Sequence, residues 1–325
     1  MRQQELISIV VPVFNEAEGI EEFYTRAKAV AESMIEMEHE LIFVDDGSRD
    51  GSFRKLNAIA QSDSRVIILK FARNFGHQIA ITAGLDAARG DCVVVIDSDL
   101  QDPPEVIPRM VDKWRAGYDV VFGVRSQRDG ESAMKLLTAS LFYRLLRKVT
   151  NIEIPVDVGD FRLMSRRALD HLKSMRENDR FVRGLVSWIG FNQIGLEYER
   201  AARFAGETKY PYRKMLKFAL DGITSFSTAP LKLASLMGYL ASGLAFFGLI
   251  SMFPLKWLGY TISGWASMMV GMFFLGGVQL VCLGIIGEYI GRIFMEVKKR
   301  PLYIVEQEVR SMSRREAEAP ALARV

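Results

Sequence analysis

The sequence has little cysteine: two in 325 residues, Cys92 and Cys282. The first falls in a β-branched apolar run and the second in a long uncharged one. No disulfide is therefore expected, and a reducing cytosolic compartment fits. Charge of one sign is also scarce. A formal net charge of +3 makes no electrostatic footprint for nucleic acid, and no nucleic-acid motif is present. The G-x-G-x-x-G signature is missing, which argues against a nicotinamide or flavin enzyme. No signal peptide is expected, because Met1-Arg2-Gln3-Gln4-Glu5 leads straight into an apolar strand. Apolar residues are abundant: 49% of the chain, with a mean hydropathy of +0.09. That is high for a soluble protein and points to a membrane portion, and the length implies two or more units.

The most informative stretch runs from Val93 to Pro104. Val93-Val94-Val95-Ile96 reads as a buried central strand of a parallel sheet. It ends in Asp97-Ser98-Asp99, and Pro103-Pro104 stops it. In an extended segment residues i and i+2 point to one side, so Asp97 and Asp99 can face one ligand together. Two such carboxylates repel unless a cation lies between them. A hard divalent ion carrying substrate phosphates fits, since Mg²⁺ takes one or two carboxylates plus phosphate oxygens. A solvated acidic turn is the plainer alternative for this stretch taken alone.

Other segments repeat the pattern. Leu6 to Val13 and Leu41 to Val44 read as strands, closed by Phe14-Asn15-Glu16 and Asp45-Asp46-Gly47-Ser48. Val66 to Phe71 and Asp119 to Val124 read as further strands. Helical spacing marks Glu16 to Glu38 (through Met34 and Met37), Ser52 to Gln61, Gly76 to Ala88 and Val106 to Ala116. This alternation predicts an α/β fold, a mostly parallel sheet covered by helices on both faces. Parallel strands share one carboxyl edge, where ligands bind. The Pro12/Asn15/Glu16, Asp45/Asp46 and Asp97/Asp99 clusters should lie on that rim and look like a site for a nucleotide with a metal-bound diphosphate. His77 opens a helix and reads as a cap or packing residue; His39 and His171 read as surface positions.

Beyond Gly130 a helix is expected over Ala133 to Val149. Asp157 to Met164 follows as a short strand carrying two more carboxylates, Asp157 and Asp160. Asp157 reads equally well as a cap or an arginine partner. Arg200, Arg203, Lys209 and Arg213, mixed with Phe204, Tyr210 and Tyr212, form a solvated face or a phosphate- and bilayer-facing one. Met215 to Phe226 can lie along an interface as an amphipathic helix. Leu233 to Leu255 carries no charge, nor does Trp257 to Gly287, in which Trp265 to Gly287 can cross back. Each is long enough for a hydrocarbon core of ~30 Å. Gly271, Gly276, Gly277, Gly284 and Gly287 suit close helix packing. Lys214, Lys217, Lys232, Arg292, Lys298, Lys299 and Arg300 flank the pair, whereas the turn holds only Lys256, which predicts a cytosolic location for both termini. Leu302 to Val305 could be a strand that pairs with a neighbouring subunit, and a homo-oligomer is expected. The tail from Ser311 reads as disordered. The expected domains are 1–210, catalytic and cytosolic; 211–230, interfacial; 231–291, two spans at about 233–255 and 265–287; and 292–325, a cytosolic C-terminal segment.

Val10-Val11-Pro12-Val13-Phe14-Asn15-Glu16, Val44-Asp45-Asp46-Gly47-Ser48, Asp97-Ser98-Asp99-Leu100-Gln101-Asp102-Pro103-Pro104-Glu105 and Gly159-Asp160-Phe161-Arg162-Leu163 resemble family 2 glycosyltransferases of the GT-A, Rossmann-like fold. Within the family the chain is most similar to GtrB-type bactoprenol glucosyltransferases, and more distantly to dolichol-phosphate mannose synthases. The likeness covers roughly residues 6 to 305. The first two motifs are widely shared; the Asp97 and Gly159 strings and Gly206-Glu207-Thr208-Lys209-Tyr210 are more specific. The resemblance implies that Pro12, Asn15, Glu16 and Asp46 hold the base and ribose of a uridine or guanosine diphosphate sugar, with Ser98 beside them. It implies that Asp97, Asp99 and Gln101 surround Mg²⁺ or Mn²⁺ and the diphosphate. It places Arg125 and Arg128 on a loop over the site, Arg203 and Lys209 at phosphates, and Asp160, with Asp157 as second candidate, nearest the reacting centre. Ser98 stands where relatives more often carry Ala.

The expected reaction is a single inverting displacement that moves a sugar onto a polyisoprenyl phosphate such as undecaprenyl phosphate at the inner membrane. UDP-glucose is the favoured donor, because the Gly-Asp-Phe-Arg-Leu and Thr-Lys-Tyr strings look most like the glucosyl enzymes. Mannose, N-acetylglucosamine and modified arabinose are alternatives. A processive polysaccharide synthase would by resemblance carry Gln-x-x-Arg-Trp, which is absent. A non-catalytic nucleotide-sugar sensor or flippase partner would have no need of Asp97, Asp99 and Gln101 together.

Overall fold

A computed structural model describes residues 4–125, 158–199, 229–258 and 264–310. Expectations for Arg128, Ala133 to Val149, Asp157, Arg200 to Arg213, Met215 to Phe226 and the tail after Arg310 lie outside the described residues. The chain forms two units, one from Met1–Tyr143, Ile152–Tyr210 and Pro301–Val325, the other from Arg144–Asn151 and Pro211–Arg300.

The first unit holds one sheet of eight strands: β1 (Glu5–Val13), β2 (Met37–Asp45), β3 (Val66–Phe71), β4 (Cys92–Val95), β5 (Val120–Arg125), β6 (Val158–Ser165), β7 (Gln193–Tyr198) and β8 (Val305–Arg310). Their order is β7-β5-β6-β4-β1-β2-β3-β8. β1 to β4 run parallel, β6 opposes both β4 and β5, and β8 opposes β3. The helices are α1 (Ile20–Ser33), α2 (Ser52–Ser62), α3 (His77–Ala87), α4 (Ile107–Arg115), α5 (Arg166–Ser174) and α6 (Val182–Ile189).

Alternation along β1 explains why its run is apolar throughout. Ile7, Ile9, Val11 and Val13 enter one core with Phe23 and Ala27 of α1, Leu56 of α2 and Met110 of α4. Val10 points to the other face, toward α3. There an added Cβ on Gly84 would lie 2.2 Å from a Val10 methyl, so only glycine lets α3 sit this close to the sheet. α3 is thereby pressed onto the strands that carry the acidic rim.

Several expectations need correction. α1 ends at Ser33, where Met34 N–H bonds Ala31 O; Met37 opens β2 opposite Glu5. Cross-strand pairing with β1 overrides the helical spacing of the two methionines. His39 is buried within that strand, not on the surface. The C-terminal strand is Val305–Arg310, and it pairs with β3 of its own chain, so residues 301–310 belong to the sheet unit.

The second unit contains α7 (Ala229–Trp257) and α8 (Trp265–Val297), 29 and 33 residues long. Pro230–Gly248 and Val270–Val297 are long and apolar enough to cross a membrane. α8 runs past the expected span end at Gly287 to Val297, and Glu288 and Arg292, one turn apart on it, pair at 3.1 Å. The thiol of Cys282 donates to Ala234 O across the pair at 3.3 Å. Side chains added at Gly271, Gly276, Gly277, Gly284 and Gly287 would meet nothing within 4 Å, so these glycines make no close approach within the pair.

Candidate active site

Because β1, β2, β3 and β4 are parallel, the loops after all four lie on one rim. β6 runs the other way, so its first residues reach the same rim. The register sets Val95 opposite Arg162, which brings Asp97 and Asp160 toward each other two residues further on. Phe14-Asn15-Glu16 is laced to the loop after β2. Asn15 N–H donates to Ser48 Oγ at 3.0 Å, Arg49 N–H donates to Asn15 Oδ1 at 2.9 Å, and Glu16 N–H donates to Ser52 Oγ at 2.9 Å. Asn15 adopts φ 56° and Leu100 φ 61°, left-handed conformations that place backbone strain on the rim itself.

The acidic residues of the rim are held differently. Asp46 accepts from Phe75 N–H at 2.6 Å and Gly76 N–H at 3.0 Å, so its carboxylate fastens the β3–α3 loop. Asp45 accepts from Ser48 N–H at 3.1 Å, and its Oδ2 is buried without a partner. Burial pushes both carboxyls upward, against the hydrogen bonds they receive. Ser98 Oγ donates to Pro12 O at 3.3 Å, joining the ends of β4 and β1. Asp99 Oδ1 accepts from Gln101 N–H at 3.1 Å.

Asp97 and Asp160 form the charged centre. Asp97 is 32% exposed, yet its Oδ1 is buried and has no hydrogen-bond partner; His77 Nε2 stands 3.6 Å from it. Burial, reinforced by Asp160, Asp102 and Asp99 against the opposing charge of His77, pushes the Asp97 carboxyl up to about 6. Asp160 is closely attended: His77 Nε2 lies 3.2 Å and Gln78 Nε2 3.0 Å from Oδ2, and Arg183 donates to Oδ1 at 3.3 Å. Burial would raise this carboxyl, but His77, Arg183 and Arg162 hold it well below the usual range. Burial would lower His77, and the two aspartates outweigh it, bringing the imidazole up to about 9. Arg125, at the end of β5, fits under Gly159, where an added Cβ would lie 2.9 Å from a guanidinium nitrogen. The charge of Asp102 acts on Arg125, and Asp102 in turn accepts from the Tyr198 hydroxyl.

The structure thus brings Pro12, Asn15, Glu16, Asp46, Asp97, Ser98, Asp99, Gln101, Arg125 and Asp160 to neighbouring strand ends; Arg128, Asp157, Arg203 and Lys209 lie outside the described residues. It adds His77, Gln78 and Arg183 to the centre. His77 caps no helix with its side chain; it faces the two aspartates. Strand order carried the missing signal, since β3 is parallel to β2 and the loop after it must open on the same rim.

Among the described residues no three of His, Cys, Asp and Glu enclose a metal by themselves. Among the described residues Asp97 Oδ1 accepts no hydrogen bond, and with Asp99 two residues on it fits a hard cation that takes its remaining ligands from a diphosphate.

A mostly parallel sheet flanked by helices, with carboxylates on its carboxyl rim, defines an α/β protein whose ligand site lies at that rim. Residues 8–173 match the family described as glycosyl transferase family 2. The chain is 54% identical to the uncharacterized glycosyltransferase YkcC of Bacillus subtilis (strain 168), over 92% of this chain and 93% of that one. It is 45% identical to the bactoprenol glucosyl transferase of Shigella phage SfII, over 94% of this chain and 98% of that one. A solved structure similar to it is glucosyl-3-phosphoglycerate synthase from Mycobacterium tuberculosis in complex with UDP, at 23% identity and TM-score 0.47, covering 68% and 79% of the two chains. The chain belongs to glycosyl transferase family 2.

Proposed function

We propose that the chain moves a glucosyl group from UDP-glucose to the phosphate of a polyisoprenyl phosphate, undecaprenyl phosphate, at the cytosolic face of the inner membrane. One observation carries this reading. The 45% identity to a bactoprenol glucosyl transferase extends over 94% of this chain, and so takes in the sheet unit and the apolar helices alike. Basic residues near the outer ends of the two helices, Lys232 within α7 and Arg292 within α8, and Lys298, Lys299 and Arg300 just after α8, support cytosolic termini.

Pro12, Asn15, Glu16, Asp46 and Ser98 form the floor for the nucleoside. Arg125, Arg128, Arg203 and Lys209 are the cations assigned to diphosphate and lipid phosphate. Asp160, with Asp157 as second candidate, stands beside the reacting carbon. Bound by Asp97, Asp99 and Gln101, Mg²⁺ or Mn²⁺ supplies positive charge for the departing diphosphate. The acceptor phosphate is anionic at pH 7 and attacks C1 in line, which inverts that carbon.

The test is transfer by the full chain in detergent, with undecaprenyl phosphate and a panel of labelled nucleotide sugars. UDP-glucose is expected to put label into the lipid with inverted anomeric configuration, and EDTA to stop it. An unlabelled lipid with every donor refutes the reading; label from a different sugar alone reassigns the donor.

A further inference from the structure

Three elements converge on Asp160, and one side chain ties them together. Gln78, the second residue of α3, donates from Nε2 to Asp160 Oδ2 at 3.0 Å. Its Oε1 accepts the backbone N–H of Val182, the first residue of α6, at 3.0 Å. The next residue of α6, Arg183, donates to Asp160 Oδ1 at 3.3 Å. His77, beside Gln78, approaches Oδ2 at 3.2 Å. Both carboxylate oxygens of Asp160 are therefore engaged, and one carboxamide sets α3, β6 and α6 relative to one another. An amide suits this place, because its nitrogen donates to the carboxylate while its oxygen accepts from the backbone N–H.

We infer that Gln78 is a positioning residue that locks Asp160 with both oxygens occupied, so that Asp160 serves the transfer as a fixed negative charge beside the donor sugar and accepts no proton. The inference rests on the functional reading above. In that transfer the C1–O bond to the diphosphate breaks with its electron pair, and the bond from the acceptor phosphate oxygen to C1 forms. No proton has to move, because the acceptor arrives ionised. Positive charge develops on the sugar ring, and a carboxylate held still in a water-poor site stabilises it without reorganising.

The experiment reverses the polarity of the hydrogen bond. Gln78→Glu keeps an acceptor for Val182 but sets a carboxylate against Asp160. In Gln78→Glu with Asp160→Asn the amide at 160 donates to the carboxylate at 78, which remakes the bond and moves the charge. The single and double variants of the full chain are compared in detergent for kcat, donor KM and melting temperature. Gln78→Glu should lower kcat about tenfold with donor KM within about threefold, and lower the melting temperature; Asp160→Asn should lower kcat about 100-fold. The double variant should recover melting temperature while kcat stays at the Asp160→Asn level. Wild-type kcat in Gln78→Glu, recovery of kcat in the double variant, or melting shifts that simply add would overturn the inference. The melting cycle needs no turnover. A wild-type chain inactive on the lipid acceptor refutes the functional reading, and the cycle still decides whether Gln78 holds Asp160.

Discussion

Toward its amino-terminal edge the sheet buries Glu40, Asp63 and Asp119; on its carboxyl-terminal rim it buries Asp45 and Asp46 and half-buries Asp97. The two sets of acids are satisfied differently. Glu40 accepts from Ser8 Oγ at 2.6 Å, Arg89 N–H at 2.8 Å and the Arg89 guanidinium at 2.8 and 3.0 Å. Asp119 holds Ser165 at 2.9 Å and Arg167. Asp63 holds Tyr24 and Arg65 N–H at 3.0 Å, with Lys28 at 3.2 Å. On the other rim, among the described residues, Asp45 Oδ2 is buried without a hydrogen-bond partner, and Asp97 Oδ1 has only His77 Nε2, 3.6 Å away. A buried carboxylate oxygen without a hydrogen bond weakens the fold, so a cation or donor bound there would stabilise it. The amino edge commits its three acids to stability; the carboxyl rim commits Asp46 and Asp160 but leaves one oxygen each of Asp45 and Asp97 without a hydrogen bond among the described residues.

Substituting each edge in turn tests this contrast. The largest effect is expected from Asp97→Asn, which should lower transfer at least about 100-fold. Its folded carboxyl lies above the unfolded value, so the ionised form opposes folding at neutral pH. The variant should therefore melt higher than wild type in EDTA at pH 7. Mg²⁺ added with UDP should raise the wild-type melting temperature above that with UDP alone and leave the variant's unchanged; a variant that melts lower in EDTA, or responds equally, would break the contrast. On the amino edge, Glu40→Ala leaves Ser8 and the Arg89 amide without their acceptor. Arg89 is largely exposed and its charge returns to water, so the loss comes from the buried hydrogen bonds, about 2–3 kcal/mol. Turnover per folded molecule should not change.

Asp63→Asn gives a smaller, pH-dependent effect. Burial would raise this carboxyl, but Arg65, Tyr24 and Lys28 hold it well below the usual range. A depressed folded value contributes stability above the unfolded pKa and loses it as pH falls toward the folded one. The melting difference between wild type and variant should be full above about pH 5 and shrink below about pH 4. The smallest effect belongs to Ser98→Ala, which removes one 3.3 Å hydrogen bond to Pro12 O. About 0.5–1 kcal/mol and less than threefold in donor KM are expected.

The strands of the parallel sheet were legible because their apolar runs are buried on both faces and end abruptly in polar residues. Val66 to Phe71 has the same bounds in sequence pattern and structure. β7, α5 and α6 gave no comparable signal: Gln193–Tyr198 is as long as β3 but has no continuous apolar run, and only part of it is buried, beside β5. His77, Gln78 and Arg183 were illegible as a group. They lie far apart in sequence from Asp160, and no periodicity relates residues on α3, α6 and β6. Asp46 also shows what only the structure adds: its two oxygens hold Phe75 and Gly76 N–H, a loop contact that its place in a shared motif does not reveal.

By itself the sequence determined the alternating strands and helices, the acidic rim and two uncharged segments of membrane-spanning length. Each follows from local pattern: burial on both faces, carboxylates at strand ends, and the absence of charge over more than twenty residues. Only the tertiary structure decided that β6 runs antiparallel and carries Asp160 to the rim opposite Asp97, and that β8 returns to the edge of β3. It also decided which carboxylates keep an oxygen open. Pairing direction and hydrogen-bond satisfaction depend on partners distant in sequence, and those meet only when the sheet is assembled.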